Sequence, residues 1–213
     1  MRIVTQTEMK KIEVAAASKY GFTEPMIVEH VGVLGAQQIE ARIAEIHSEV
    51  DVVVLVGKGN NGADGLALAR NLVRPQRSVR AFVLFEEKEL STENLAQLKM
   101  ARAYGVRVDF LKDMDEVELF FAQNALPKLV IDAIFGTGVR LPLSNFIHEV
   151  IHFTNLNANY TISIDIPSGV AGDSGLKQGN AITADLTLAV GHPKVGHFIA
   201  DGATLSGDVH VLE

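Results

Sequence analysis

Gly57-Lys58-Gly59-Asn60-Asn61-Gly62-Ala63-Asp64-Gly65 contains a literal G-x-G-x-x-G. Placed after a strand and before a helix, that pattern lets the backbone approach a phosphate, with helix N–H groups as donors. Two details shift the chemistry. Asp64 falls in the expected first helical turn, where its charge opposes a pyrophosphate. Asn60 and Asn61 carry amides where a plain fingerprint needs close backbone passage. An Asn–Asn–Asp cluster suits hydroxyls, an amide or a cation. The plainer alternative is a tight turn with a left-handed Asn and a capping Asp, but a single turn rarely spends so many special residues.

Two further segments repeat the theme. Asp132 interrupts the apolar run Ile131 to Phe135 and is followed by Gly136-Thr137-Gly138. A charge in a buried strand is costly unless it is paired, so this Asp either ties down its own loop or serves a site. The glycines around Thr137 offer backbone donors to an anion. Asp165 ends another apolar run, before Ile166-Pro167-Ser168-Gly169. Ser168 lacks the nucleophile-elbow pattern, because Ile166 occupies the first Gly position, so a ligand or capping role fits it better. Together Asn60, Asn61, Asp64, Asp132, Asp165 and Ser168 describe oxygen ligands for a hard cation and carboxylates for proton transfer.

Two other segments carry chemistry-bearing residues. His148-Glu149-Val150-Ile151-His152 is a literal H-E-x-x-H. Its apolar neighbours Ile147, Val150, Ile151 and Phe153 claim one helix face, which turns the two His and the Glu toward solvent. Asn155 and Ala158 stand where a longer zinc signature needs Gly and His. Gly191-His192-Pro193-Lys194-Val195-Gly196-His197 leaves a strand. Lys194 there is either a phosphate contact or part of an exposed basic loop, and the His residues are either acid–base groups or ordinary surface.

The elements that must position these residues alternate. Residues 7–20 read as a helix with Met9, Ile12, Ala16 and Tyr20 on one face and Gly21 as its stop. A second helix starts near Thr23-Glu24-Pro25 and carries Val31, Ile39, Ile43 and Ile46. Strands are expected at Val52 to Val56, Val79 to Leu84, Val106 to Phe110, Leu129 to Ile134 and Thr161 to Ile166. Helices follow at Ala67 to Val73, Ser91 to Tyr104, from Asp113 onward, and at Ser144 to Phe153. Leu186 to Val190 and Val209 to Leu212 are strands with little helix between them. Such alternation predicts an α/β fold with a mostly parallel sheet and helices on both faces. Ligands then bind at the carboxyl ends of the strands, where the three loops lie.

Composition narrows the class. The 213 residues and 47% hydrophobic content permit a large core, and no linker-like stretch divides the chain, so one domain over 1–213 is expected. The 19 basic against 26 acidic residues argue against a nucleic-acid partner. With no Cys, thiolate zinc sites and thiol nucleophiles are excluded. No apolar run reaches a membrane-spanning length and Met1 to Thr5 lacks a signal core, so no membrane contact and a cytoplasmic location are expected.

In this order the segments resemble the NAD(P)H-hydrate epimerase family, the YjeF N-terminal domain. The resemblance rests on Gly59 to Gly65, Asp132 to Gly138, Asp165 to Gly169, Ala184-Asp185-Leu186-Thr187 and the Pro193-Lys194-x-Gly196 turn. It implies a three-layer α/β/α Rossmann-like sandwich, usually a homodimer, and an isomerase. The implied reaction interconverts the R and S forms of hydrated NADH and NADPH (NADHX and NADPHX) at C6 of the damaged ring. The functional partner implied is an ADP- or ATP-dependent NAD(P)H-hydrate dehydratase, either a separate protein or a domain outside these 213 residues. Residue by residue, Asn60, Asn61, Gly62, Ala63 and Asp64 would contact substrate. Asn61, Asp132 and Ser168 would hold potassium. Gly136, Thr137, Gly138, Val139, Arg140, Leu141 and Pro142 would hold the phosphates, and Asp165 would bind substrate. Asp132 is the expected acid–base carboxylate. Departures from the family pattern are Ala63 in place of Gly, and His30 and Val31 in place of Asn and Ala.

Two other functions share these residues. One is a nucleotide-binding scaffold or sensor of the same fold without turnover. The other is a nicotinamide-dependent oxidoreductase, which would need Glu86 or Glu87 as its ribose contact after the second strand.

Overall fold

The computed structural model describes residues 2–213 apart from 47–48, 124–126, 139–142 and 178. Helix α1 (Gln6–Tyr20) opens on a capping box, in which the Thr5 side chain accepts from the Glu8 N–H and the Glu8 carboxylate accepts from the Thr5 N–H. Gly21, at φ 75°, closes it. The expected inner face is only partly realised: Met9 is buried, Ile12 and Ala16 are half-buried, and Tyr20 is exposed. Helix α2 (Glu24–Ile46) follows, with Pro25 in its first turn.

Seven strands form one parallel sheet: β1 (Asp51–Val56), β2 (Val79–Val83), β3 (Arg107–Phe110), β4 (Lys128–Ala133), β5 (Tyr160–Ile164), β6 (Leu186–Val190) and β7 (Asp208–Leu212). Their order is β3-β2-β1-β4-β5-β6-β7. Helices α3 (Asn60–Leu72), α4 (Thr92–Ala103), α5 (Asp115–Gln123) and α6 (Asn145–Asn157) supply the crossovers, and α7 (Gly202–Leu205) is a single short turn before β7.

Beyond Asp51, which pairs with Lys128, strand β1 is apolar on both faces, and it is buried along its whole length. Val52, Val54 and Val56 pack with Ile39, Leu66, Leu68, Leu72 and Leu98, from α2, α3 and α4. Val53 and Leu55 point the other way, toward Val117, Phe120, Ile147, Val150 and Ile151, from α5 and α6. The result is the three-layer α/β/α sandwich expected from the sequence, with a sheet that is parallel throughout.

Three boundaries differ in ways that matter for the site. Helix α3 begins at Asn60, inside the glycine loop, and so earlier than the start that would put Asp64 in its first turn. Glycines are unusual helix formers, and here close packing explains them: a Cβ on Gly62 would lie 2.1 Å from the Gly57 carbonyl oxygen, and one on Gly65 would lie 2.4 Å from Ala133 Cβ. Strand β5 ends at Ile164, so Asp165 lies outside the strand, with φ at 70°. Helix α6 runs on to Asn157, and it buries Ile147, Val150, Ile151 and Thr154. Glu149 and His152 of the H-E-x-x-H are therefore exposed, while His148 Nδ1 accepts from the Asn180 N–H. Among the described residues no group of three or more His, Cys, Asp or Glu could hold a metal ion.

Candidate active site

The strand order runs outward in both directions from β1 and β4, so their crossovers diverge and leave a crevice at the carboxyl ends. Into it come the loop after β1, the loop after β4, the turn after β5 and the segment after β6.

The loop after β1 is pressed against the loop after β4. A Cβ on Gly57 would lie 1.7 Å from the Ile134 carbonyl oxygen, so this position admits only glycine. Asn94, fully buried on α4, donates its Nδ2 to the carbonyl oxygens of Gly57 and Gly59, at 2.7 and 3.1 Å. Helix α3 starts directly after, with Gly59 as N-cap and no side chain capping it. Its first turn holds no acidic residue, because the early start places Asp64 in the second turn. The charge conflict expected between Asp64 and an anion at this helix end is thereby reduced.

Asn60 Nδ2 donates to Glu24 Oε1 on α2. Asn61 is 8% exposed, and neither its Oδ1 nor its Nδ2 has a hydrogen-bond partner. Asp64 is nearly as buried, with Oδ1 likewise unpartnered. Burial, then the charges of Asp165 and Glu24, push its carboxyl well above the usual range, against an opposing pull from Lys194.

Asp132 sits fully buried on β4, between Leu55 and Ser163. Its Oδ1 accepts from Ser168 Oγ at 2.5 Å and from the Ile134 N–H at 3.2 Å. Its Oδ2 accepts from Ser163 Oγ and from the Ser168 N–H, both at 2.8 Å. Burial raises its pKa, and the bonds from Ser168, Ser163 and Ile134 oppose that rise. Ser168 Oγ also accepts from the Phe135 N–H at 2.9 Å, so Asp132 and Ser168 together lock the loop after β4 to the turn after β5.

Asp165 is the carboxylate nearer the surface, its side chain 15% exposed. Its Oδ1 pairs with Lys194 Nζ and its Oδ2 accepts from the Thr137 N–H at 3.2 Å. Gly136 makes room for it, since a Cβ there would lie 2.9 Å from Asp165 Oδ2 and 3.7 Å from Asn61 Cβ. The Thr137 carbonyl accepts from Gln6 Nε2 at 2.9 Å, which ties α1 to the site. Thus three N–H groups of the loop after β4, those of Ile134, Phe135 and Thr137, serve protein acceptors. Among the described residues nothing lies within 4 Å of where a Gly138 Cβ would be.

The segment after β6 is not the exposed basic loop that its sequence allowed. Lys194 and His197 are both almost fully buried. Lys194 Nζ donates to Asp165 Oδ1 and to the Val190 carbonyl, the latter at 3.0 Å. His197 Nδ1 accepts from the Lys194 N–H, and its Nε2 lies 2.9 Å from the Asp165 carbonyl oxygen, so Nε2 carries the proton. Asn94 and Ser163 are site-forming residues that no motif singles out, whereas Lys194 and His197, candidates of the Gly191 to His197 segment, are buried parts of the site.

The structure thus brings together Asn61, Gly62, Asp64, Asp132, Gly136, Thr137, Asp165 and Ser168. Val139, Arg140, Leu141 and Pro142 lie outside the described residues. Glu86 and Glu87 are exposed, and Glu86 pairs with Lys88. His30 lies 3.3 Å from the Glu213 carbonyl oxygen, and Val31 is buried in the core.

This is a Rossmann-like α/β protein with a glycine loop, two carboxylate turns and a buried lysine at its switch point. The chain belongs to the family described as YjeF-related protein N-terminus, whose pattern matches residues 24–196. It is 34% identical over 99% of its length to a bifunctional NAD(P)H-hydrate repair enzyme of Thermofilum pendens, of which it covers 40%. It is 31% identical over 98% of its length to an NAD(P)H-hydrate epimerase of Rhodopirellula baltica, of which it covers 82%. The crystal structure of yeast ynu0, YNL200c, shares the fold, with a TM-score of 0.80 at 21% identity over 99% of this chain and 87% of that one.

Proposed function

We propose that the chain is an NAD(P)H-hydrate epimerase, interconverting the R and S hydrates of NADH and NADPH at C6. The observation that carries this reading is the group at the switch point. An unpartnered Asn61 amide stands beside Gly136 and the Asp165 carboxylate, which has an exposed edge, and a buried Asp64 lies within charge range of Asp165. A family member 31% identical to this chain carries the epimerase name.

The reaction needs little beyond proton management and orientation. C6 of the hydrate bears a hydroxyl and the ring nitrogen. Asp64, whose burial favours the neutral acid, gives its proton to that hydroxyl, the C6–O bond breaks and water leaves. The nitrogen lone pair forms the C=N bond of an iminium. Water then adds to C6 from the other face and gives its proton to the Asp165 carboxylate, and a proton passes back to Asp64 before the next turnover. A positioned acid–base group contributes about 10²–10⁴ in rate.

The sequence reading assigned this role to Asp132. Its two oxygens accept four protein hydrogen bonds and none of its surface is exposed. That favours Asp165 as the proton-transfer group and Asp132 as the anchor beneath it. The uncapped start of α3 suits the pyrophosphate.

Potassium would be held by the Asn61 carbonyl oxygen, which is buried and lacks a donor, with Asp132 and Ser168 as the further oxygen ligands that a hard cation requires. When bound, it would supply positive charge that offsets the clustered carboxylates.

In the same reading the protein is a homodimer, works with an ADP- or ATP-dependent dehydratase and acts in the cytoplasm. The chain spans 40% of the bifunctional relative, which is consistent with one of two activities lying in this segment. Among the described residues no helix is long and apolar enough to cross a membrane.

The test is R/S exchange of purified hydrate, followed by chromatography or by coupling to an S-specific dehydratase. Exchange accelerated well above the spontaneous rate is expected. Tight hydrate binding without acceleration would favour the scaffold reading instead.

A further inference from the structure

Among the described residues Lys194 is the largest polar side chain less than 2% exposed, and its ammonium lies with Asp165 rather than with solvent. A buried ion pair is weak evidence for stability, because desolvation of two charges offsets most of their attraction. Packing alone would be served as well by an apolar side chain. What distinguishes this pair is where it ends.

Asp165 is one of only two non-glycine residues with positive φ among the described residues, a conformation that costs about 1–3 kcal/mol unless the surroundings impose it. The segment after β6 imposes it twice. Lys194 Nζ holds the carboxylate, and His197 Nε2–H holds the carbonyl oxygen of the same residue. His197 Nδ1 in turn accepts from the Lys194 N–H, so the three residues form a closed ring of hydrogen bonds. The Asp165 N–H is fixed as well, on the Leu188 carbonyl of β6 at 2.8 Å. Asp165 thus has its N–H, carbonyl and one carboxylate oxygen tied to β6 and the turn beyond it. The other oxygen is left on the Thr137 N–H, toward Gly136 and Asn61. A simple turn needs none of this, since glycine adopts the same φ at no cost.

We propose that Lys194 is a positioning residue for the epimerisation, aiming the Asp165 carboxylate at the substrate, with His197 locking the backbone that carries it. The inference rests on the epimerase reading and extends it to the segment after β6. It also explains why a lysine is buried at a crevice that must accept an anionic nucleotide. The cation is spent on a carboxylate within the protein, and phosphate is left to backbone N–H groups.

The experiment compares wild type, Lys194→Met, Asp165→Asn and the double variant in R/S exchange, with Tm measured in parallel. Misplacing a reacting group by about 1 Å costs about 10²-fold. Lys194→Met should therefore lower kcat by about that factor, with KM changed only a few-fold. In the Asp165→Asn background the same change should cost nothing further, because Lys194 acts only through Asp165. The double variant leaves no charge unpaired, so it keeps the comparison readable even where Lys194→Met alone does not fold. Unchanged kcat in folded Lys194→Met, a loss confined to KM, or a further ten-fold loss in the double variant would each overturn the inference. Wild-type protein without exchange activity would overturn the epimerase reading and this inference with it. Exchange in the wild type together with any of the three results above overturns the inference alone.

Discussion

At His197 both ring nitrogens are committed, Nδ1 as an acceptor and Nε2 as a donor, which requires the neutral ring. Burial lowers its pKa below the usual 6.5, partly offset by the bond to Asp165. Between that lowered value and 6.5 the unfolded chain binds more protons than the folded one. Stability is therefore intact above pH 6.5 and is lost as pH falls through 6.5 toward the folded value. Asp64 and Asp132 act in the opposite sense. Their raised values mean that stability declines as pH climbs from about 3.8 toward the folded value. Comparing a variant with wild type isolates the His term. A His197→Gln protein should have a lower Tm throughout, yet lose less of it than wild type between pH 7 and pH 5. Parallel Tm–pH curves would contradict the assignment.

Which residues were legible also has a physical reason. An Asp at the end of an apolar strand is conspicuous, so Asp132 and Asp165 announced themselves. A Lys in a loop is ordinarily solvated, and only the tertiary placement of β6 beside β5 revealed Lys194 as buried.

At the scale of elements, α4 reaches across to brace the glycine loop. Asn94 lies well outside that motif, and its Nδ2 satisfies two loop carbonyls that the tight turn leaves without strand partners. Removing a buried donor costs about 1–3 kcal/mol, and 1 kcal/mol moves Tm by about 2–4 °C in a protein this size. Asn94→Ala should therefore lose several degrees of Tm and raise the substrate KM, while kcat falls much less. A drop in kcat alone would place Asn94 in the chemistry instead of the loop.

Sequence periodicity located nearly every element, because strands buried on both faces and amphipathic helices write their burial into the chain. It failed at α3, where Asn60 to Gly65 has the composition of a loop but winds into helix against Ala133 and Gly57. It also overstated the inner face of α1. That helix is held at its start, by Gln6 on Thr137 and Asp173, and much of its length stays open.

For the molecule as a whole, alternation of strand and helix was enough to anticipate a parallel sheet and a site at its carboxyl edge. The divergence at β1 and β4 followed from topology that no local pattern encodes. The net charge of −7 excluded large polyanions but says little about a single dinucleotide. An uncapped helix start and loop N–H groups can hold a pyrophosphate without a basic surface. If Asp165, held at this switch point, moves the proton in epimerisation of the hydrated nicotinamide ring, Asp165→Asn should lower kcat in R/S exchange by about 10²–10⁴ against wild type, with hydrate still bound and each protein confirmed folded by its thermal transition. Near-wild-type exchange in a folded Asp165→Asn protein would contradict it.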